Sequence, residues 1–279
     1  MATNALPAAA HIGPVSLRVG SIDTVLPFYR GTVGIEVVSR KDGMLTLGTD
    51  RSPLLHLVED PTAPSRPRAA AGLFHLAIRV PDRGALADAL TRGKDRSALT
   101  GASDHLVSEA LYLRDPEGNG VEVYCDRPRE EWRIRGDGQV AMDTLPLDQA
   151  DLLETANGDD RLPSGTDMGH VHLEVTDLDR SVEFYRNHLG LNLRDDGWDG
   201  AMFLAAGDYH HHVGLNTWNG RSKPVGDTRG LISFEVVLPD IDSLSALLSR
   251  LEAEGHQVDR SDGASVTDPD GIELVLRPD

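Results

Sequence analysis

The chain has 279 residues, enough for two domains of ordinary size, and its 39% hydrophobic, 26% charged and 5% aromatic residues are the composition of a folded globular protein, not a disordered or fibrous one. A formal net charge of -18, from 45 acidic residues against 27 Lys and Arg, excludes the clustered basic surface that nucleic acid requires and disfavours docking on anionic membranes. No apolar run reaches the roughly 20 residues of a membrane-spanning helix, and Met1 to Ala10 carry neither a basic segment nor a long apolar stretch, so a cytoplasmic location is expected. Lysine occurs only at Lys41, Lys94 and Lys223, and the acidic excess predicts a halophilic adaptation, in which salt screens the self-repulsion. The single cysteine, Cys125, excludes an intrachain disulfide.

Along the chain, an alternating strand over 15–19 runs into Asp23, placed to cap a helix that carries Phe28-Tyr29-Arg30, and apolar strands follow at 44–47 and 54–58. A second segment opens with an apolar strand holding His75 and continues through Pro81-Asp82 into a helix with Leu86 and Leu90. It ends on the turn Asp115-Pro116-Glu117-Gly118 before the strand Val121-Glu122-Val123. Residues 127–166 read as a linker rich in Pro, Gly and acidic residues, with a hairpin near Gly136-Asp137-Gly138 and a short helix near 147–155.

The pattern then repeats. Residues 169–190 align without a gap on 13–34, reproducing Gly13, Val15, Leu17, Val19, Asp23, Phe28, Tyr29, Arg30 and Gly34 as Gly169, Val171, Leu173, Val175, Asp179, Phe184, Tyr185, Arg186 and Gly190. Residues 230–248 align on 72–90, and Asp268-Pro269-Asp270-Gly271 precedes Ile272-Glu273-Leu274 as the earlier turn precedes Val121. Four modules result, at 11–60, 72–126, 167–219 and 229–279, and they give an N-terminal domain at 11–126 and a C-terminal domain at 167–279.

Several residues could carry chemistry. A lone histidine on an apolar strand is more often a hydrogen-bonded core residue than a ligand, and His75 and His170 each fit that description. Both stand on first strands of modules, and Glu122 flanked by two valines itself favours a cation, because a buried carboxylate is costly unless paired. The run Tyr209-His210-His211-His212 precedes an apolar strand, where regular alternation would turn His210 and His212 away from the face of His211. Tyr112 needs a hydroxyl partner if buried. His11, His172, His188 and His256 have no matching partner and read as structural or solvated, and the two Phe-Tyr pairs read as packing against the sheet. No phosphate loop, nucleophile elbow or dinucleotide motif is present.

The strand-helix-three-strand module with its terminal Asp-Pro-x-Gly turn and strand Glu resembles the vicinal oxygen chelate superfamily of glyoxalases, bleomycin-resistance proteins and extradiol dioxygenases. The resemblance implies an α+β fold of four βαβββ modules paired into two cup-shaped mixed sheets, with metal ligands on first and last strands. The corresponding positions are Pro14, His75, His170 and Ser233, and His56, Glu122, Gly214 and Glu273. Pairing modules two and three joins His75, His170 and Glu122, the set that extradiol dioxygenases use for Fe(II), with Mn(II) as the alternative. His211 would then be the acid/base, with His105 and Tyr112 as hydrogen-bond donors, acting on a small aromatic diol and O2. Pairing modules one and two would join His56, His75 and Glu122, and pairing three and four would join only His170 and Glu273; Glu273 with His56 is a candidate second site. A glyoxalase-like lyase or isomerase and a metal-free binding protein of the bleomycin-resistance kind are the rival readings, and a homo-oligomer is left open.

Overall fold

A computed structural model describes residues 4–41, 43–50, 52–261 and 263–279. The first module forms β1 (His11–Val19), α1 (Ile22–Phe28), β2 (Glu36–Lys41), β3 (Met44–Thr49) and β4 (Ser52–Glu59). The second forms β5 (Gly72–Arg79), α2 (Arg83–Asp95), β6 (Leu99–Asp104), β7 (Ser108–Arg114) and β8 (Gly120–Asp126). The connecting segment contributes β9 (Leu145–Pro146), paired with β6, and α3 (Gln149–Leu153), which buries Leu152. The third module supplies β10 (Asp167–Glu174), α4 (Leu178–Val182), β11 (Asn192–Asp195), β12 (Ala201–Ala205) and β13 (Val213–Asn216). The fourth supplies β14 (Gly230–Leu238), α5 (Ile241–Ala253), β15 (Val258–Asp259), β16 (Ala264–Thr267) and β17 (Glu273–Pro278). Strands of modules two and three belong to a nine-stranded mixed sheet and those of modules one and four to an eight-stranded one, the α+β architecture expected. Among the described residues, no helix is long and apolar enough to cross a membrane.

By compactness the chain separates into two units, one of residues 16–63 and 75–169, the other of residues up to Val15 with 64–74 and 170–279. Each unit repeats the same construction. Within the first, the Tyr29 hydroxyl donates to Asp115 Oδ2 at 3.0 Å, while Asp115 Oδ1 accepts the backbone N–H groups of Glu117 and Asn119 at 2.9 and 2.8 Å. Within the second, Tyr185 donates to Asp268 Oδ2 at 3.0 Å and Asp268 Oδ1 accepts from Asp270 and Ile272 at 2.9 and 2.8 Å. The Asp-Pro-x-Gly turn is thus a latch between neighbouring modules. Its third residue extends the latch, since Glu117 accepts from the N–H groups of Gly20 and Ser21, and Asp270 from that of Thr176. A buried hydrogen bond to a charged group contributes about 1.5–3 kcal/mol, so the two Phe-Tyr pairs do more than the packing expected of them.

Local chemistry explains the helix ends. Ser21 and Asp177, not Asp23 and Asp179, cap α1 and α4, accepting from Thr24 and Arg180; the aspartates lie in the first turn, where they favour the helix dipole instead. Each short helix widens into a π turn, Tyr29–Val33 and Glu183–His188. The carbonyls left at its end are taken by an arginine of the following module: Arg92 reaches Thr32 and Val33, and Arg250 reaches His188 and Leu189. The expected hairpin in the connecting segment is present as an antiparallel bridge between Ile134 and Val140, and the expected short helix as α3.

Candidate metal centre

β5 and β8 run parallel, with Ala77 opposite Glu122. His75 lies two residues before Ala77 on the same face, and the alanine leaves room for its ring to lean toward the carboxylate. His75 Nε2 stands 2.9 Å from Glu122 Oε2, with both side chains more than nine-tenths buried. On the other side of β8 the antiparallel register puts Tyr112 opposite Glu122, and the phenol, held protonated by burial and then by the adjacent charge, hydrogen-bonds the carboxylate. The same hydroxyl is 2.6 Å from His105 Nε2, and His105 Nδ1 donates to the Asp143 carbonyl at 2.7 Å, since a carbonyl can only accept. A hydroxyl has a single proton to give. Tyr112 donates to His105 when that imidazole is neutral and to Glu122 when it carries two protons. His105 is held by the bend between β6 and β7, where Leu106 adopts φ 68 and Asp104 accepts the Leu106 N–H at 2.8 Å.

In the third module His170 is 1% exposed, with its ring centroid 4.0 Å from His211 and 6.2 Å from His210. His210 Nδ1 and His211 Nδ1 are 2.7 Å apart, and Phe203 meets His211 edge-on at 4.9 Å. The alternation expected across the histidine run does not hold, because regular strand starts only at Val213 and the three histidines lie in a bend. His210 therefore shares the side of His211, while His212 turns away, accepting from the Ala206 N–H and stacking on Tyr209. Gly214 pairs with His172 in the parallel β10–β13 ladder, and a Cβ there would come within 2.9 Å of the His172 ring. The fourth ligand position is consequently filled by packing, with His172 edging onto Phe74, Phe203 and Trp218.

Gly169, immediately before His170, packs so closely on Tyr124 that a Cβ would sit 1.8 Å from its hydroxyl, and Tyr124 is two residues from Glu122. Only glycine allows this approach. His75 and Glu122 are buried side by side in one unit, and His170 is buried in the other. Two imidazoles and one carboxylate are a ligand set that suits a divalent transition metal. Among the described residues one further group of this kind occurs, His188 with Glu254 and His256, and neither group contains His56 or Glu273. His56 Nδ1 instead meets Thr46 Oγ1 at 3.1 Å, and Glu273 pairs with Ser233 in the β14–β17 ladder. Neither the place of His210 beside His211 nor that of the Asp143 carbonyl beside His105 had a sequence signal, the first hidden by an irregular backbone and the second a main-chain atom.

The profile of the Glyoxalase/Bleomycin resistance protein/Dioxygenase superfamily matches residues 11–123 and 167–276. A catechol-2,3-dioxygenase of Bacillus subtilis (strain 168) is 40% identical over 268 residues, 93% of this chain and 94% of the relative. The fold is shared with a structure from Bacillus subtilis subsp. subtilis str. 168, at TM-score 0.64 and 15% identity over 96% of this chain and 85% of that one. It is also shared with glyoxalase I from Zea mays, at TM-score 0.59 and 19% identity over 96% and 92%.

Proposed function

Since the chain belongs to the Glyoxalase/Bleomycin resistance protein/Dioxygenase superfamily and is a catechol dioxygenase-like enzyme, we propose that it is an extradiol dioxygenase opening a small aromatic diol with O2 at Fe(II) held by His75, His170 and Glu122. The observation that carries this reading is 40% identity, over nearly the full length, to a catechol-2,3-dioxygenase, in a chain whose candidate ligands His75, Glu122 and His170 are each buried. Bound there, Fe(II) would supply Lewis acidity toward the two vicinal oxygens and the redox capacity to use dioxygen.

The chain's own residues supply positioning and proton transfer. His211, packed on His170, takes the proton of a diol hydroxyl and later returns it, a task suited to imidazole near neutrality. His210 fixes the ring of His211 through the bond between their Nδ1 atoms. With a diol bound, Tyr112 turns its one proton from His105 to the oxygen on which negative charge develops, while the Asp143 carbonyl holds the imidazole in place. A glyoxalase-like reaction would favour a fourth protein ligand, and Gly214 offers none. Anaerobic loading with Fe(II) followed by spectroscopic assay with catechol tests the proposal: a yellow ring-opened product is expected, and a folded, iron-loaded protein without ring cleavage would refute it.

A further inference from the structure

We propose a second metal site, at which His188, Glu254 and His256 bind a divalent transition ion such as Zn2+ and clasp the π turn of module three to the end of α5. The ligand atoms of the three residues lie within 4.8 Å of one another. His188 Nδ1 is 2.7 Å from Glu254 Oε2, and the His188 and His256 rings are 4.5 Å apart in an edge arrangement. His256 Nε2 is buried and has no hydrogen-bond partner among the described residues, a costly state for a ring nitrogen unless a ligand occupies it. An ordinary ion pair between His188 and Glu254 accounts for two of the three residues and leaves that nitrogen unexplained. Side-chain exposures of 28% for His188 and 29% for Glu254 leave the cluster open to an ion from solvent.

The internal repeat provides a control inside the same molecule. Arg92 and Arg250 occupy equivalent positions and each closes a π turn by binding its last carbonyls. Beside Arg92, the positions equivalent to His188, Glu254 and His256 are Thr32, Arg96 and Ala98, and Arg96 donates to the Gly31 carbonyl. One copy thus adds a second guanidinium, Arg96, where the other carries three metal-competent side chains on the same scaffold. Two imidazoles and a carboxylate, with room for water, match the preference of Zn2+ for nitrogen and oxygen ligands in four-coordinate geometry.

The test is Zn2+ titration of the iron-loaded enzyme, reading bound zinc after desalting and the thermal unfolding midpoint. Parallel titrations use His256→Gln, His188→Gln, Glu122→Ala and the double variant Glu122→Ala/His256→Gln. The site predicts that Glu122→Ala still retains an equivalent of zinc, with a raised midpoint, and that the double variant loses both effects. His188→Gln should behave as His256→Gln does, which guards against one variant that folds poorly. Equal zinc content and equal midpoint shifts in Glu122→Ala and the double variant would overturn the proposal, as would the absence of bound zinc in Glu122→Ala.

Discussion

Tyr112 faces Glu122 directly across the β7–β8 ladder, and its hydroxyl bridges that carboxylate to His105. One tyrosine therefore touches both a proposed metal ligand and a proposed proton donor. Replacing it with phenylalanine keeps the ring packed and removes only the bridge. Tyr112→Phe should retain iron and lower kcat by about 100-fold, the usual cost of one donor to a developing charge, with a much smaller change in KM. His105→Gln should fall to a similar level, and the double variant should be little worse than either, because both substitutions break one chain. Additive losses in steady-state kinetics would show that the two residues act separately.

For His211 the expected signature differs. His211→Ala should keep the metal and bind the diol, yet lose about 100- to 10,000-fold in kcat, the range for removing a general acid or base. Partial rescue by imidazole would be consistent with that role. His210→Ala should cost less, since its contact with His211 Nδ1 orients the ring without exchanging protons with substrate. A larger loss for His210→Ala than for His211→Ala would exchange their assignments.

Most of this architecture was legible in the sequence because it is written twice. The gap-free repeat of 13–34 in 169–190 and the paired Asp-Pro-x-Gly turns mark the modules, and the family resemblance assigns His75 and His170 to first strands and Glu122 to a last strand. What escaped depends on side-chain direction. Tyr29 and Tyr185 look like core aromatics until their hydroxyls are seen on Asp115 and Asp268, although their recurrence with those aspartates was an available signal. The helix caps went to Ser21 and Asp177 because each helix starts two residues earlier than periodicity implied. The bend before Val213 defeated the alternation expected of the histidines.

Burial pushes the Asp268 carboxyl up from 3.8 to about 6, against the lowering effect of the Ile272 N–H and the Tyr185 hydroxyl. With the folded value above the unfolded one, the folded state binds more protons between about pH 4 and 6, so stability falls as pH rises through that window and the loss is complete above it. A shift of this size corresponds to about 3 kcal/mol between the two protonation states. Asp268→Asn cannot ionise. Thermal midpoints measured across this range should show the wild type losing ground to Asp268→Asn as pH rises toward 6, and a constant difference between the two would contradict the linkage.

The formal charge of -18 implies strong self-repulsion in dilute buffer. At about 1 M salt the Debye length is near 3 Å, so the repulsion should be largely screened and the unfolding midpoint should rise with NaCl. A midpoint independent of salt would remove the reading of the acidic surface as a halophilic feature.

The most direct test of the proposed centre compares iron content and catechol ring cleavage in wild type, Glu122→Ala and Glu273→Ala after anaerobic Fe(II) loading. Loss of both iron and product in Glu122→Ala, with Glu273→Ala close to wild type, is the result expected for a metal held by His75, His170 and Glu122. Full iron content and turnover in Glu122→Ala would contradict it.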